Sequence, residues 1–110
     1  MSLNLAMILA ENGVRVPNKV AIICDERRLT YRDLDREINK LANSLLELGV
    51  KRGQTVTLML PNIPEFAIAY FAIVKIGAIC VPINTLYKER EIEYILSDSE
   101  STAFIACSGF

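Results

Sequence analysis

The chain has 110 residues, with 12 basic and 13 acidic side chains and a net charge of −1. Because both signs of charge are mixed along the chain, nothing in the composition indicates a surface for nucleic acid or anionic lipid. No segment has the order of a signal peptide, and no apolar stretch reaches the roughly 20 residues that a membrane-spanning helix needs. The sequence predicts a cytoplasmic protein with no nucleic-acid partner and no transmembrane segment.

The chain contains no histidine and three cysteines. Without histidine it cannot form a Ser-His-Asp or Cys-His nucleophile system, a histidine general base or most zinc sites. Cys24, Cys80 and Cys107 are far apart, and each follows or interrupts an apolar run. An odd number without a CxxC pair is not typical of a disulfide framework or a redox motif. We predict buried, reduced thiols that react slowly.

The first third of the chain predicts a helix, a small hairpin and a second helix. Residues 3–12 have apolar side chains at helical spacing and end at Gly13. Residues 20–24 and 28–30 are short strand-like runs separated by a polar turn, which indicates a hairpin. Thr30 and Asp33 are spaced as a capping box, with Asp in place of Glu.

After this box, one apolar stripe continues at alternating spacings of four and three residues, and Gly49 is placed to end the helix. The stripe comprises Leu34, Ile38, Leu41, Leu45 and Leu48.

The remainder of the chain predicts three buried strands separated by two helices. Residues 56–60, 78–83 and 103–107 are apolar runs without alternation, as in strands of parallel sheets that are covered on both faces. The amphipathic segment 88–96 is predicted to be a helix with Ile92, Ile95 and Leu96 pointing inward. Strands and helices that alternate with short connections predict an α/β fold: a three-layer sandwich on a parallel sheet, preceded by the small hairpin.

The helix predicted over residues 65–76 is apolar on every side. Such a helix must be enclosed by protein or lipid, and a 110-residue chain has little material with which to enclose it. We therefore interpret residues 1–110 as an incomplete portion of a larger N-terminal domain. We also expect the isolated chain to self-associate through residues 66–74.

Ligands of open α/β sheets bind at the carboxyl ends of the strands. In this chain those ends are residues 61–64, residues 82–88 and the segment from Ser108 onward, where Asn62, Asn84 and Thr85 are the polar residues placed to meet a ligand. Turn formation and helix capping also account for these three residues, and we favour that interpretation over ligand binding. The five glycines form neither GxGxxG nor GxxxxGK[ST], so no phosphate loop is predicted.

Four carboxylates belong to the predicted solvated face of the helix after Thr30, and we interpret them as surface charges and not as a general acid/base pair. They are Asp33, Asp35, Glu37 and Glu47.

Three strings carry a resemblance to a known family: LTYRDL (29–34) with its Leu-rich helix, VKIGAICVPIN (74–84) and EIEYILSDS (91–99). They resemble the adenylate-forming enzyme superfamily, which includes acyl-CoA synthetases, peptide-synthetase adenylation domains and luciferases. The first two strings are similar to the first two conserved motifs of its N-terminal domain. Asn84 in place of Asp, together with the segment TLYKEREIEYIL, resembles the sequences of fatty-acyl or aryl-acid CoA ligases more than those of peptide-synthetase domains.

This resemblance implies a parent enzyme in which a carboxylic acid, ATP and Mg²⁺ form an acyl-adenylate and pyrophosphate, after which CoA displaces AMP. The motifs by which the family holds these groups have no counterpart in residues 1–110. We therefore predict no catalytic, cofactor-binding or metal-binding residue in this chain. ATP, Mg²⁺ and CoA belong to the parent enzyme, and the segment alone is expected to bind none of them and to be inactive.

Two alternatives of other classes remain at this point. One is a truncated, non-catalytic α/β module that binds a protein partner through its apolar helix. The other is a small nucleotide-binding protein of flavodoxin-like type, which is weaker because no phosphate loop follows any of the predicted strands.

Overall fold

The computed structural model describes residues 14–24, 26–61 and 63–106, with only the backbone of Cys24. The helix predicted over residues 3–12 lies outside these ranges, as do Asp25, Asn62 and Cys107. The elements in chain order are β1 (Val20–Cys24), β2 (Arg27–Thr30), α1 (Tyr31–Glu47), β3 (Thr55–Met59), α2 (Pro64–Lys75), β4 (Ile79–Pro82), α3 (Glu89–Asp98) and β5 (Ser101–Ala106).

The predicted hairpin is confirmed. Strand β1 pairs with β2 in antiparallel register, with Ile22 opposite Leu29 and Cys24 opposite Arg27. The amide of Tyr31 donates to the carbonyl of Lys19 at 3.0 Å, which attaches the segment before β1 to the start of α1. The hairpin is therefore joined to the main body of the chain at the first turn of that helix.

The remaining strands form a parallel sheet in the order β4-β3-β5. Val56 on β3 lies opposite Cys80 on β4 and Ala103 on β5, so these three side chains share the first face of the sheet. Thr57, Val81 and Phe104 are likewise in register and share the second face. Central strand β3 is buried from Val56 to Met59 on both faces, as the absence of alternation predicted.

Helices lie on both faces of this sheet, which confirms the three-layer α/β architecture. On the first face, α1 packs against α2, and buried side chains of both helices form one core with Val56. On the second face, α3 borders a groove together with Met59 and Phe104. Ile92, Ile95 and Leu96, which the sequence predicted to point inward, are half-buried.

Helix α1 begins with the predicted capping box and buries most of the predicted stripe. The Asp33 amide donates to Thr30 Oγ1 and the Thr30 amide donates to Asp33 Oδ2, both at 3.1 Å. Leu34, Ile38 and Leu45 are buried. The prediction is wrong for Leu48, which is 76% exposed. The helix ends at Glu47, and Leu48 lies at its C-terminal cap just before the turn at Gly49 (φ +94°), so Leu48 does not continue the stripe.

The apolar helix α2 is enclosed mainly by the chain itself. Pro64 occupies its first turn, where a missing amide hydrogen costs nothing. Every residue from Pro64 to Val74 is buried or half-buried, and only Lys75 is exposed. Among the described residues, no helix is both long enough and apolar enough to cross a membrane.

Candidate functional site

The carboxyl ends of the three parallel strands lie at one edge of the sheet. There β3 ends at Met59, β4 at Pro82 and β5 at Ala106. Two concave regions lie at this edge, one on each face of the sheet, and both are lined by residues at the ends of β3 and β5. The predicted location of a ligand site is therefore concave on both faces, as ligand sites generally are.

The first-face cavity has a volume of about 600 Å³ and lies between α1, the first turns of α2 and the ends of β3 and β5. Its walls are mostly apolar, and its polar lining comes from Glu37, Lys40, Ser44 and Glu65. The apolar lining residues are Leu41, Leu60, Ile63, Ile68, Ala69, Ile105 and Ala106.

The polar groups around the first-face cavity are bonded to other protein groups. The Lys40 ammonium lies 3.5 Å from Glu37 Oε1, and the Ser44 hydroxyl donates to the carbonyl of Lys40 at 3.1 Å. Arg27 donates to both carboxylate oxygens of Glu65, at 2.5 and 3.0 Å. This hydrogen bond from Arg27 lowers the pKa of Glu65. Among the described residues, the charged groups of the rim are therefore paired with one another.

The second-face groove, of about 420 Å³, contains Thr85, one of the predicted polar residues. Asn84 is exposed and forms a turn: its Oδ1 accepts from the Leu86 amide at 2.8 Å, and its carbonyl accepts from the Tyr87 amide at 3.1 Å. Turn formation therefore accounts for Asn84. Asn62 lies outside the described residues. The remaining lining residues are Met59, Tyr87, Glu89, Ile92, Glu93, Phe104 and Ala106.

The predicted surface carboxylates have structural roles or face solvent. Asp33 caps α1, and its pKa is lowered chiefly by the hydrogen bond from the Thr30 backbone. Asp35 accepts from the Asn39 amide group at 3.4 Å, and Glu47 is exposed. Because Asp33 is already bonded at the helix start, the structure gives no reason to assign it acid/base chemistry.

The described residues show no carboxylate cluster at either concave region. Within the described ranges, no group of three or more Cys, Asp or Glu side chains could hold a metal ion. The only described thiol, that of Cys80, is free and half-buried, and burial raises its pKa to about 11. The largely apolar walls of the first-face cavity can enclose an apolar group.

Sequence reasoning did not find the Arg27–Glu65 pair or the first-face cavity. The two charged residues are 38 positions apart, and the cavity combines residues from α1, α2, β5 and the segment after β3. No local pattern joins such distant positions, because their proximity depends on how the hairpin and helices pack. The sequence does place Glu65 in the first turn of the helix that begins at Pro64, but it does not indicate Arg27 as its partner.

A parallel α/β sheet whose strands end at one concave edge has the arrangement in which α/β domains bind their ligands. The sequence model of the family described as "AMP-binding enzyme" matches residues 9–109. The chain belongs to this family of adenylate-forming enzymes, as the three strings and their order predicted.

Two curated relatives are CoA ligases. The chain is 39% identical over 106 residues to the medium/long-chain-fatty-acid–CoA/3-oxocholest-4-en-26-oate–CoA ligase of Mycobacterium marinum, covering 96% of the chain and 19% of the ligase. It is 39% identical over 98 residues to the crotonobetaine/carnitine–CoA ligase of Shigella flexneri, covering 84% of the chain and 19% of that ligase. The chain thus spans about a fifth of the length of these relatives.

Solved structures give the same result for the fold. The inhibitor-bound N-terminal domain of FACL13 from Mycobacterium tuberculosis superimposes with a TM-score of 0.89 at 33% identity, covering 96% of this chain and 27% of that one. The anthranilate CoA ligase AuaEII, in complex with anthranoyl-AMP, gives 0.88 at 39% identity, covering 94% and 20%. The hairpin and parallel sheet are therefore arranged as in N-terminal parts of adenylate-forming enzymes.

Proposed function

We propose that this chain is the N-terminal scaffold portion of an ATP-dependent acyl-CoA ligase. The complete enzyme would convert a carboxylic acid, ATP and CoA into acyl-CoA, AMP and pyrophosphate through an acyl-adenylate. The observation that carries the proposal is the 39% identity to two CoA ligases, of which the chain spans about a fifth. The family is broader than CoA ligases, so the CoA-dependent step belongs to the proposal.

The geometry is consistent with a structural role for this segment, in which it holds one edge of the sheet in place. Its carboxyl edge offers two concave, largely apolar surfaces, whose charged groups are already paired on the first face. In the proposed enzyme, ATP with Mg²⁺ would activate the carboxylate as an acyl-adenylate, from which AMP is the leaving group in the CoA step. The described residues do not fit either group, so no step is assigned to them. Their role is to hold the sheet edge on which the reacting groups are assembled by other parts of the enzyme.

The proposed substrate is a fatty or aryl carboxylic acid. The M. marinum ligase is named for medium- and long-chain fatty acids, and the AuaEII structure holds anthranoyl-AMP. Both are acids with a large apolar portion, which agrees with the apolar lining at the strand ends. The proposed enzyme would convert such an acid into the acyl-adenylate, with release of pyrophosphate, and then into the CoA thioester, with release of AMP.

A segment exchange tests this proposal. The aligned portion of the M. marinum ligase is replaced by the 106 residues of this chain that align with it, and ATP–pyrophosphate exchange is measured with fatty and aryl acids. Formation of acyl-CoA is measured separately by mass spectrometry. We expect the chimera to catalyse both steps. The ligase without the segment and the isolated 110-residue chain are expected to catalyse neither.

The outcomes separate the parts of the proposal. A folded chimera without pyrophosphate exchange would contradict the scaffold role. Pyrophosphate exchange without acyl-CoA formation would support the proposed role in adenylate formation. It would contradict the proposal that the segment belongs to a CoA ligase. Exchange above background by the isolated chain, in a preparation free of host ligase, would show that the segment has catalytic groups of its own.

A further inference from the structure

Glu65 lies at the boundary between two neighbouring concave regions of different character. One is the largely apolar first-face cavity. The other is a cleft of about 410 Å³ where β2, α1 and α2 meet, and most of its lining residues are charged. They are Arg27, Leu29, Asp33, Arg36, Glu37, Glu65 and Ile68. The first turn of α2 therefore separates an apolar space from a charged one.

Arg27 determines on which side of this boundary the Glu65 carboxylate is held. Its Nη1 donates to both carboxylate oxygens, at 2.5 and 3.0 Å. Of the two concave regions, Arg27 lines only the charged cleft. The two hydrogen bonds consequently direct the Glu65 carboxylate toward the cleft and away from the apolar cavity.

The start of α2 provides no equivalent restraint of its own. Ile63, the residue before the helix, makes no capping hydrogen bond with its side chain. A carboxylate in the first turn is attracted by the positive end of the helix, but this attraction does not set the direction of the side chain. A hydrogen-bonded guanidinium both neutralises a carboxylate and orients it. Because Glu37 is already paired with Lys40, loss of Arg27 would leave Glu65 as an uncompensated negative charge on the cavity rim.

We propose that Arg27 is a positioning residue for the carboxylic acid substrate: it neutralises Glu65 and turns it away from the first-face cavity. This inference rests on the proposed function and assigns the apolar portion of the acid to that cavity. An unpaired Glu65 carboxylate would disfavour binding in two ways. It would place a charge beside an apolar group, and it would repel the negative charge of the acid. Arg27 thus acts on the substrate through Glu65.

The chimera with the M. marinum ligase tests this inference, since that ligase is named for medium- and long-chain fatty acids. KM and kcat for dodecanoic acid are measured by ATP–pyrophosphate exchange. We expect Arg27→Gln to raise KM for the acid about two- to fivefold, as suits a partly exposed charge, and to leave kcat and KM for ATP nearly unchanged. Arg27→Lys keeps the positive charge and should retain most of the original affinity.

The double variant distinguishes neutralisation from a purely structural link. Glu65→Gln in the Arg27→Gln background removes the uncompensated charge, so KM for the acid should return toward that of the unmodified chimera. Arg28→Gln is the matched control. Arg28 is the next residue of β2, is exposed, and its side chain points to the opposite face of the hairpin because side chains alternate along a strand.

Ionic strength provides a further measurement that a purely structural role would not affect. Salt screens exposed charges, so raising it from about 0.05 M to about 0.5 M should reduce the difference in KM between Arg27→Gln and the unmodified chimera. Circular dichroism establishes that each variant is folded.

The outcomes separate this inference from the proposed function. An inactive unmodified chimera would overturn both. If the unmodified chimera is active, an unchanged KM in Arg27→Gln would overturn the role of Arg27 alone. So would a double variant as impaired as Arg27→Gln, because loss of the link and not of charge neutralisation would then raise KM. A KM for Arg27→Lys as high as that of Arg27→Gln would also contradict neutralisation.

Discussion

The hydroxyl of Thr57 donates a hydrogen bond to Ser101 Oγ at 2.9 Å, joining the central strand to the β5 edge across 44 residues. Thr57 is the one fully buried polar side chain among the described residues. An irregular register brings Ser101 to it: Thr55 lies opposite Ser101 and Val56 opposite Ala103, so Thr102 is an extra residue on β5. This bulge turns Ser101 toward the second face, which Thr57 shares.

The Thr57–Ser101 bond predicts an asymmetric pair of substitutions. Ser101→Ala leaves the buried Thr57 hydroxyl without its acceptor, so we expect a loss of about 1–3 kcal/mol in the free energy of unfolding. Thr57→Val replaces the hydroxyl by a methyl group and leaves Ser101 bonded to the Ala103 carbonyl at 2.7 Å, so its cost is expected to be smaller.

Urea denaturation of both single variants and the double variant measures this difference. The double variant should lose less than the sum of the two single losses, because it removes both ends of one bond. The exposed Ser97→Ala serves as control. Additive losses, or a Thr57→Val variant less stable than Ser101→Ala, would show that the bond is not the dominant interaction there.

The Arg27–Glu65 pair predicts a small, pH-dependent contribution to stability. Arg27→Gln should lower the free energy of unfolding at neutral pH by less than about 1 kcal/mol, because both side chains are roughly half-exposed and solvent screens the pair. Lys40→Gln, which removes the longer contact to Glu37 at 3.5 Å, is the matched control and should cost less.

The pH dependence follows from the direction of the pKa shift. The pKa of Glu65 is lower in the folded protein than its ordinary value of 4.5, chiefly through the hydrogen bond from Arg27. The contribution is therefore present above pH 4.5 and is lost as the pH falls through the lower, folded pKa. Stability curves of wild type and Arg27→Gln should converge below pH 4.5. A constant difference down to strongly acidic pH would assign the effect to packing of the Arg27 side chain.

The capping box predicts a local effect on α1. Thr30→Ala removes the acceptor of the Asp33 amide and should lower the free energy of unfolding by about 1 kcal/mol. Thr102→Ala is the control, since Thr102 is exposed on β5 and bonds no helix amide at a cap. Chemical denaturation measures both variants, and an equal loss in the two would mean that the cap adds nothing beyond the loss of a threonine.

The cysteine thiols are predicted to be reduced and slow to react in the folded protein. For Cys80 the structure supports this expectation, because its half-buried thiol has a pKa of about 11 and carries little thiolate near neutral pH. Thiol titration with and without denaturant, followed by peptide mapping, measures each cysteine. Rapid native labelling of Cys80 would contradict its position on β4, and rapid labelling of Cys24 or Cys107 would contradict the prediction for those two.

The sequence by itself determined the order and type of the described elements. Thr30 and Asp33 mark the start of α1 by a local hydrogen-bonding pattern, and Gly49 and Gly77 provide the positive φ that follows α1 and α2. The unalternating run predicted over residues 56–60 is buried from Val56 to Met59. The family was also available from sequence, because its conserved strings are contiguous.

The tertiary structure decided which of these surfaces remain uncovered. Leu48 matched the apolar stripe of α1 but is exposed, because the helix ends one residue earlier. The wholly apolar α2 is buried or half-buried from Pro64 to Val74, which its composition alone does not specify residue by residue. A hydrophobic side chain in the sequence favours burial, but its position in the sequence does not say against which residues. Only the packing of distant elements, such as Arg27 against Glu65 and Thr57 against Ser101, determines which side chains achieve it.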